Sequence, residues 1–314
     1  MPYAYKPRVS SASIGAVTIG TGESAITIGG DNVMPLCRFD GEGPNRPAVG
    51  AEITDTGFDT AGLPQFAAFY EGPGDVVSRA RRAASIEGAD FICLRFEGAD
   101  PGGLDRPVAA CVADAQAVCA AIDKPVVITG CKNIEKDTQL FTAMAEALSG
   151  ENVLFLSARE EDYKAVGTAT ALAFGHKVGA ESAVDINLAK QLNVLMTQLG
   201  VPATSMVMNL GSAAAGYGFE YIASTMDRVK SAALEQNDTM LQMPVVTPVA
   251  AEAWSVKESI IGAEDMPEWG EREERGILME TVTAAACLAS GADAVILAHP
   301  QSIATISALV AALV

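Results

Sequence analysis

Eight short apolar runs recur along this chain, each followed by an amphipathic stretch, and that alternation restricts the fold more than any other feature. The runs are Ser24–Gly30, Ala89–Phe96, Pro125–Gly130, Asn152–Ala158, Lys177–Ser182, Ser205–Gly211, Pro244–Ala250 and Ala292–His299. Most are apolar without strict alternation, as expected of parallel strands covered on both faces. Helical periodicity fills the gaps, for example over Val108–Ile122, Asp137–Leu148, Asp185–Leu199 and Arg275–Ala289. Strands alternating with helices give either a closed (β/α)8 TIM barrel or an open doubly wound sheet. The count of eight and the lack of a GxGxxG turn after the first run favour the barrel. Two alternating segments, Ile14–Ile19 and Ala25–Ile28, flank the turn signal GTGES and predict an N-terminal β-hairpin within a 1–23 segment. No second domain boundary is visible, so residues 1–314 read as one barrel.

The spacing between runs is uneven. The first step is 65 residues and the last is 48. The excess falls at Asp31–Gly72 and Ala251–Arg272, as long loops after strands one and seven. In a barrel such loops project from the C-terminal face of the strands, where function resides. Around that mouth the strand ends offer Gly30, Asp31, Arg95, Thr129, Cys131, Ser157, Glu181, Asn209, Thr247 and His299. The loop Arg38–Glu52 adds Arg38 and Arg46, and the Gly- and Ala-rich segment 211–221 adds Gly216 and Tyr217. Backbone in such a segment can approach a large flat ligand closely. The residues chosen as cofactor contacts are Gly30, Asp31, Arg38, Thr129, Asn209, Gly216, Tyr217 and Thr247.

Hydrolytic chemistry finds little support. No GxSxG or HExxH spacing occurs, and there are only two histidines, His176 and His299. His176 precedes the fifth run and reads as structural; His299 ends the eighth and faces the mouth. The six cysteines lack the short spacings of a thiolate cluster, so neither an iron–sulfur cluster nor a metal site is expected in this chain. Free thiols suit a reducing cytoplasm. A formal net charge of −18 argues against nucleic acid and anionic lipid as partners. The apolar tail from Ile303 is too short to span a bilayer, so no membrane segment is expected.

Composition reaches a roomy, non-nucleophilic mouth and stops there. The stretch at 28–52, IGGDNVMPLCRFDGEGPNRPAVGAE, resembles the small (delta) subunit of corrinoid iron–sulfur proteins of the CO dehydrogenase/acetyl-CoA synthase system. The resemblance continues through TGCKNIEKD at 129–137, DINLAKQLNVLM at 185–196, GYGFEYIASTMDRV at 216–229 and WGEREERGILMETVTA at 269–284. It closes with AHPQSI at 298–303 and covers the chain in order. The resemblance implies a barrel paired with a larger subunit that carries the [4Fe–4S] cluster. It also implies a cobalamin held between the two. A methyl group would arrive from a methyltetrahydrofolate:corrinoid methyltransferase and leave for acetyl-CoA synthase in the reductive acetyl-CoA pathway. Two other readings are a folate-dependent methyltransferase-type barrel binding a pterin through Asp31, Asn209 and Asp185, and a scaffold that only builds the complex.

Overall fold

The computed structural model describes residues 4–41, 43–72 and 74–314. Ten strands form two sheets. β1 (Ala16–Ile19) and β2 (Ile26–Gly29) pair as an antiparallel hairpin, Val17 opposite Ile28 and Ile19 opposite Ile26. The other eight are all parallel: β3 (Ala48–Thr54), β4 (Phe91–Arg95), β5 (Val126–Thr129), β6 (Leu154–Ala158), β7 (Lys177–Glu181), β8 (Met206–Asn209), β9 (Val246–Pro248) and β10 (Ala294–Leu297). Their order, β8-β7-β6-β5-β4-β3-β10-β9, leaves β8 and β9 at the two ends. A parallel bridge between Met208 and Val245 joins those ends, so the sheet closes into a barrel.

Helices cover the outside. In chain order they are α1 (Pro64–Phe69), α2 (Val76–Ala84), α3 (Val108–Ala121), α4 (Ile134–Ala147), α5 (Tyr163–Gly167) and α6 (Ile186–Leu199). They continue with α7 (Phe219–Leu234), α8 (Ala250–Ala253), α9 (Lys257–Ile260), α10 (Arg272–Ala289) and α11 (Pro300–Leu313). Several start where a side chain satisfies an orphan N–H. Asn133 accepts from Lys136 N ahead of α4, and Asp185 accepts from Asn187 N and Leu188 N ahead of α6. That cap commits the Asp185 carboxylate to the backbone.

Period-two alternation divides the apolar residues into two cores. Val49, Ile92, Ile128, Phe155 and Val295 point outward to the helices. Ala48, Phe91, Val127, Leu154, Val207, Val246 and Ile296 point into the barrel. Val17, Ile19 and Ile28 of the hairpin join the interior set, so the hairpin plugs the N-terminal end of the barrel. Ile28 is fully buried there. Ile28→Ala should lower stability by about 2–3 kcal/mol in urea unfolding, from lost transfer energy plus a cavity.

The structure corrects one strand. The run Ser24–Gly30 is the second strand of the hairpin, not the first of the barrel. The first barrel strand is β3, in a segment read as loop. Every β3 residue is buried, but Gly50 and Glu52 break its apolar run. Gly50 is required because a Cβ there would overlap the Phe91 ring. The other seven runs are β4 to β10. The first insertion therefore divides. Residues 31–41 and 43–47 lead into β3 along the N-terminal end, and only the described part after Thr54 lies at the mouth. The last insertion, with α8 and α9, follows β9 at the mouth as expected.

Candidate functional site

At the C-terminal end of the barrel the inward-pointing positions turn polar. Glu52, Arg95, Thr129, Glu181 and Asn209 project from β3, β4, β5, β7 and β8, and Pro248 ends β9. Together with Lys132, Asp137, Arg159 and Glu252 from the following loops and helices they line a cavity of about 120 Å³. A second cavity of about 330 Å³ adjoins it, sharing Glu52, Arg95 and Ala251. Its remaining wall sets Phe58, Leu63, Phe66, Trp254 and Ile260 beside Asp59, Glu97 and Arg272. A larger cavity, about 630 Å³, lies by the hairpin turn, between Gly20–Ser24 and the α3–β5 connection. It is remote from every strand end that carries convergent polar groups, so the mouth is the candidate site.

The cations of the smaller cavity are committed to carboxylates, while Arg272 in the adjoining one donates to the Ser259 and Ala61 carbonyls. Arg95 Nε lies 3.2 Å from Glu52 Oε1, and Arg95 Nη2 lies 3.0 Å from Glu97 Oε2. The first contact is an ion pair without an aligned hydrogen bond. Arg159 bridges Glu181 at 3.3 Å and Asp137 at 4.0 Å, and Lys132 reaches Glu252 at 3.4 Å. Burial raises the Glu52 carboxyl above its ordinary range, opposed chiefly by the Arg95 charge. Burial also raises Asp137, opposed by hydrogen bonds from Cys131. The Cys131 thiol is pushed up to about 11 by its own burial and by Asp137, and it donates to that carboxylate. It is therefore protonated at neutral pH and a poor nucleophile.

Asn209 is fixed on both sides. Its Nδ2 donates to Ser157 Oγ at 2.9 Å, and its Oδ1 accepts from Gly211 N at 3.0 Å. Ser157 thus faces an amide, not a base. Neither histidine serves this cavity. His176 Nδ1 accepts from Val153 N and its Nε2 lies 2.9 Å from Ala145 O, which makes it structural as expected. His299 Nδ1 accepts from Gln301 N and caps α11, while Nε2 lies 3.3 Å from Glu273 Oε1. Its ring stacks on Trp254, behind the apolar part of the mouth. Two loop residues at the mouth, Ala183 and Val184, hold positive φ of 43° and 70°. Replacing Ala183 by glycine should add about 1 kcal/mol of stability, read from the thermal midpoint.

Of the residues chosen from sequence, Thr129 and Asn209 stand in the cavity wall. Gly216 and Tyr217 lie on the rim. Tyr217 is half-exposed and its hydroxyl donates to Glu258 Oε2 at 2.6 Å, so it faces α9 and not the opening. Thr247 is turned away: Val246 before it points into the barrel, so Thr247 points to the outer layer. Gly30, Asp31 and Arg38 sit at the opposite end. Arg38 pairs with Asp31 at 3.3 Å and also donates to Asn45 O, just before β3 begins. Burial raises the Asp31 carboxyl, and its charged neighbours include Asp293 and Lys230 at the start of the strands. All three were misplaced by counting β2 as a barrel strand. Conversely, Glu52, Lys132 and Arg159 were missed as wall residues. The latter two follow strand ends within three positions, a signal that could have found them; Glu52 lay inside the supposed loop.

The model of the CO dehydrogenase/acetyl-CoA synthase delta subunit family matches residues 16–308. This chain belongs to that family. The acetyl-CoA decarbonylase/synthase complex subunit delta of Archaeoglobus fulgidus is 31% identical, over 96% of this chain and 68% of that relative. The delta subunit of Methanothermobacter thermautotrophicus is 32% identical, over 95% of this chain and 76% of the relative. Delta subunit 2 of Methanosarcina acetivorans is 31% identical, over 91% and 66%. The chain thus spans about two thirds of the length of two of these relatives. Each of these relatives is named as a subunit of an acetyl-CoA decarbonylase/synthase complex. Among solved structures, dihydropteroate synthase of Xanthomonas albilineans with 4-aminobenzoic acid aligns at a TM-score of 0.56 and 14% identity, over 95% of this chain and 98% of that one. Dihydropteroate synthase of Burkholderia cenocepacia aligns at 0.54 and 13%, over 96% and 98%. These likenesses concern the barrel fold. Among the described residues no helix is long and apolar enough to cross a membrane.

Proposed function

We propose that the mouth of this delta-subunit barrel is one wall of a cobalamin site completed by the large subunit of the corrinoid iron–sulfur protein. The chain then serves as a methyl-carrier subunit, receiving the methyl group from a methyltetrahydrofolate:corrinoid methyltransferase and presenting it to acetyl-CoA synthase/CO dehydrogenase. The supporting observation is the state of the mouth among the described residues: it is polar and open, the cations of its smaller cavity are each paired with a carboxylate, Ser157 faces an amide, and the one thiol, Cys131, is held protonated against Asp137. Such a surface binds and orients; it does not perform acid–base chemistry by itself.

The residues suit a corrinoid. A macrocycle is too broad for a cavity of about 120 Å³, so it would lie across the strand ends with its amide arms directed inward. Arg159, Lys132 and the Asn209 amide offer donors to those arms, and Glu181 and Glu252 offer acceptors. Ser212 Oγ, buried in the same wall, has no protein partner. The Phe58, Phe66 and Trp254 side of the adjoining cavity would exclude water from one edge. When bound, the cobalt supplies the methyl-accepting and methyl-donating centre. This chain contributes position, hydrogen bonds and a dry wall. Six unpaired cysteines fit operation in a reducing cytoplasm.

The test is Asn209→Leu in the heterodimer. Cobalt per complex after gel filtration should fall several-fold while the two subunits still co-elute. Full cobalt retention would defeat the reading and favour a scaffold role. Tight folate binding by the isolated chain would favour the pterin alternative instead.

A further inference from the structure

From Gly276 to Val314 the sequence contains only two charged residues, Glu280 and Asp293. Both are buried, as is His299. In a chain of net charge −18, α11 and the part of α10 beyond its first turn therefore present a flank without one exposed charged side chain. Solvent-facing helices of a barrel ordinarily carry charged outer rows. Here the outer row of α10 exposes Leu278 at 62% and Val282 at 53%. The outer row of α11 exposes Ala304, Ala308 and Ala311. Beside Leu278 and Val282 runs a groove of about 540 Å³, walled by Ala215, Trp269 and Arg275.

We propose that this flank is a docking surface for a partner subunit of the complex, which packs an apolar helix face bordered by Lys and Arg against α10 and α11. The rim selects that chemistry. The loop carrying Trp269 and the first turn of α10 expose Glu264, Asp265, Glu268, Glu271 and Glu274. Of the three cations there, Lys257 and Arg275 are already stacked on Trp269 at 5.7 and 5.6 Å from its ring centre, and Arg272 donates to the Ser259 and Ala61 carbonyls. Arg275 also donates to Ile261 O. A second copy of this chain would bring the same acidic rim and no free cation to answer it. Across a two-fold axis that acidic rim would face its own copy, and like charges brought together oppose the pairing. Alanine rows on α11 permit close approach, and Leu278 and Val282 supply the apolar centre.

This inference rests on membership of a multisubunit family and not on where the cofactor lies. The experiment pairs the full chain with the purified large subunit of the corrinoid iron–sulfur protein. Leu278→Glu/Val282→Glu alters exposed positions and should leave the thermal midpoint of the lone chain unchanged. Its affinity for the large subunit, by calorimetry, should weaken roughly tenfold or more. Ala308→Glu on α11 is the independent second variant, with the same expected direction. Undiminished affinity in both variants would overturn the proposal. So would a wild-type chain that dimerises alone through a contact the double variant breaks. Cobalt separates the two readings: loss of the heterodimer in the flank variants, with cobalt retained by Asn209→Leu, would uphold the flank and remove the mouth.

Discussion

Lys230→Met is expected to destabilise the barrel by about 3–5 kcal/mol, the usual result of stranding one member of a buried ion pair. Lys230 lies on α7 and Asp293 just ahead of β10, and their side chains are 1% and 3% exposed. Nζ and Oδ2 are 2.7 Å apart. The same oxygen accepts from Val245 N at 2.7 Å. The Asp293 backbone receives Ala48 N and donates to Val245 O, so this residue ties together the starts of β3, β9 and β10. Methionine matches the length of the lysine stem but removes the charge. Asp293 would then be buried without a counterion, close to Asp31, whose carboxyl burial already raises. Chemical unfolding should show the loss, and Asp293→Asn in the Lys230→Met background should recover part of it. A loss under about 1 kcal/mol would place the pair among those that contribute little.

Glu280→Ala is expected to cost about 3–4 kcal/mol by exposing two buried N–H groups to nothing and opening a cavity. Glu280 lies on α10, wholly buried, and accepts from Ala298 N at 2.6 Å and His299 N at 3.1 Å. It holds the turn from β10 into α11 behind the apolar half of the mouth. Burial pushes its carboxyl up to about 7, against the pull of those two N–H groups and of Ser302 and Trp254. The last two make no aligned hydrogen bond. The sign of the pH dependence follows. A carboxyl with a raised folded-state pKa binds its proton more tightly when folded. Its contribution is full below the ordinary value of 4.5 and declines as pH rises through about 7. The penalty for Glu280→Ala should therefore be larger near pH 5 than near pH 8, by up to about 3 kcal/mol at roughly 1.4 kcal/mol per pKa unit. A pH-independent penalty would assign the effect to the cavity alone.

Seven barrel strands and the hairpin were legible because the physics that forms them leaves a plain trace. Parallel strands covered on both faces are apolar runs, and helix starts carry Asn133 and Asp185 as caps. β3 escaped because two tertiary demands override its local pattern. Phe91 occupies the space above Gly50, and Glu52 is buried against Arg95 at the mouth. One missed strand moved Gly30, Asp31 and Arg38 from one end of the barrel to the other. That Thr247 faces outward was illegible for a different reason: β9 is three residues long, and inward or outward parity cannot be read from so short a segment. Thr129 and Asn209 reach the cavity wall because each ends a strand whose apolar run is unambiguous. Local rules hold in the core and give way where the site is built.

The most direct measurement is the position of cobalt in the heterodimer, from anomalous scattering of a crystal at the cobalt edge. The peak should lie above the C-terminal strand ends, over the wall formed by Arg159, Glu181 and Asn209. A peak at the hairpin end, beside the cavity between Gly20–Ser24 and Glu151, or one that no part of this barrel approaches, would contradict the account.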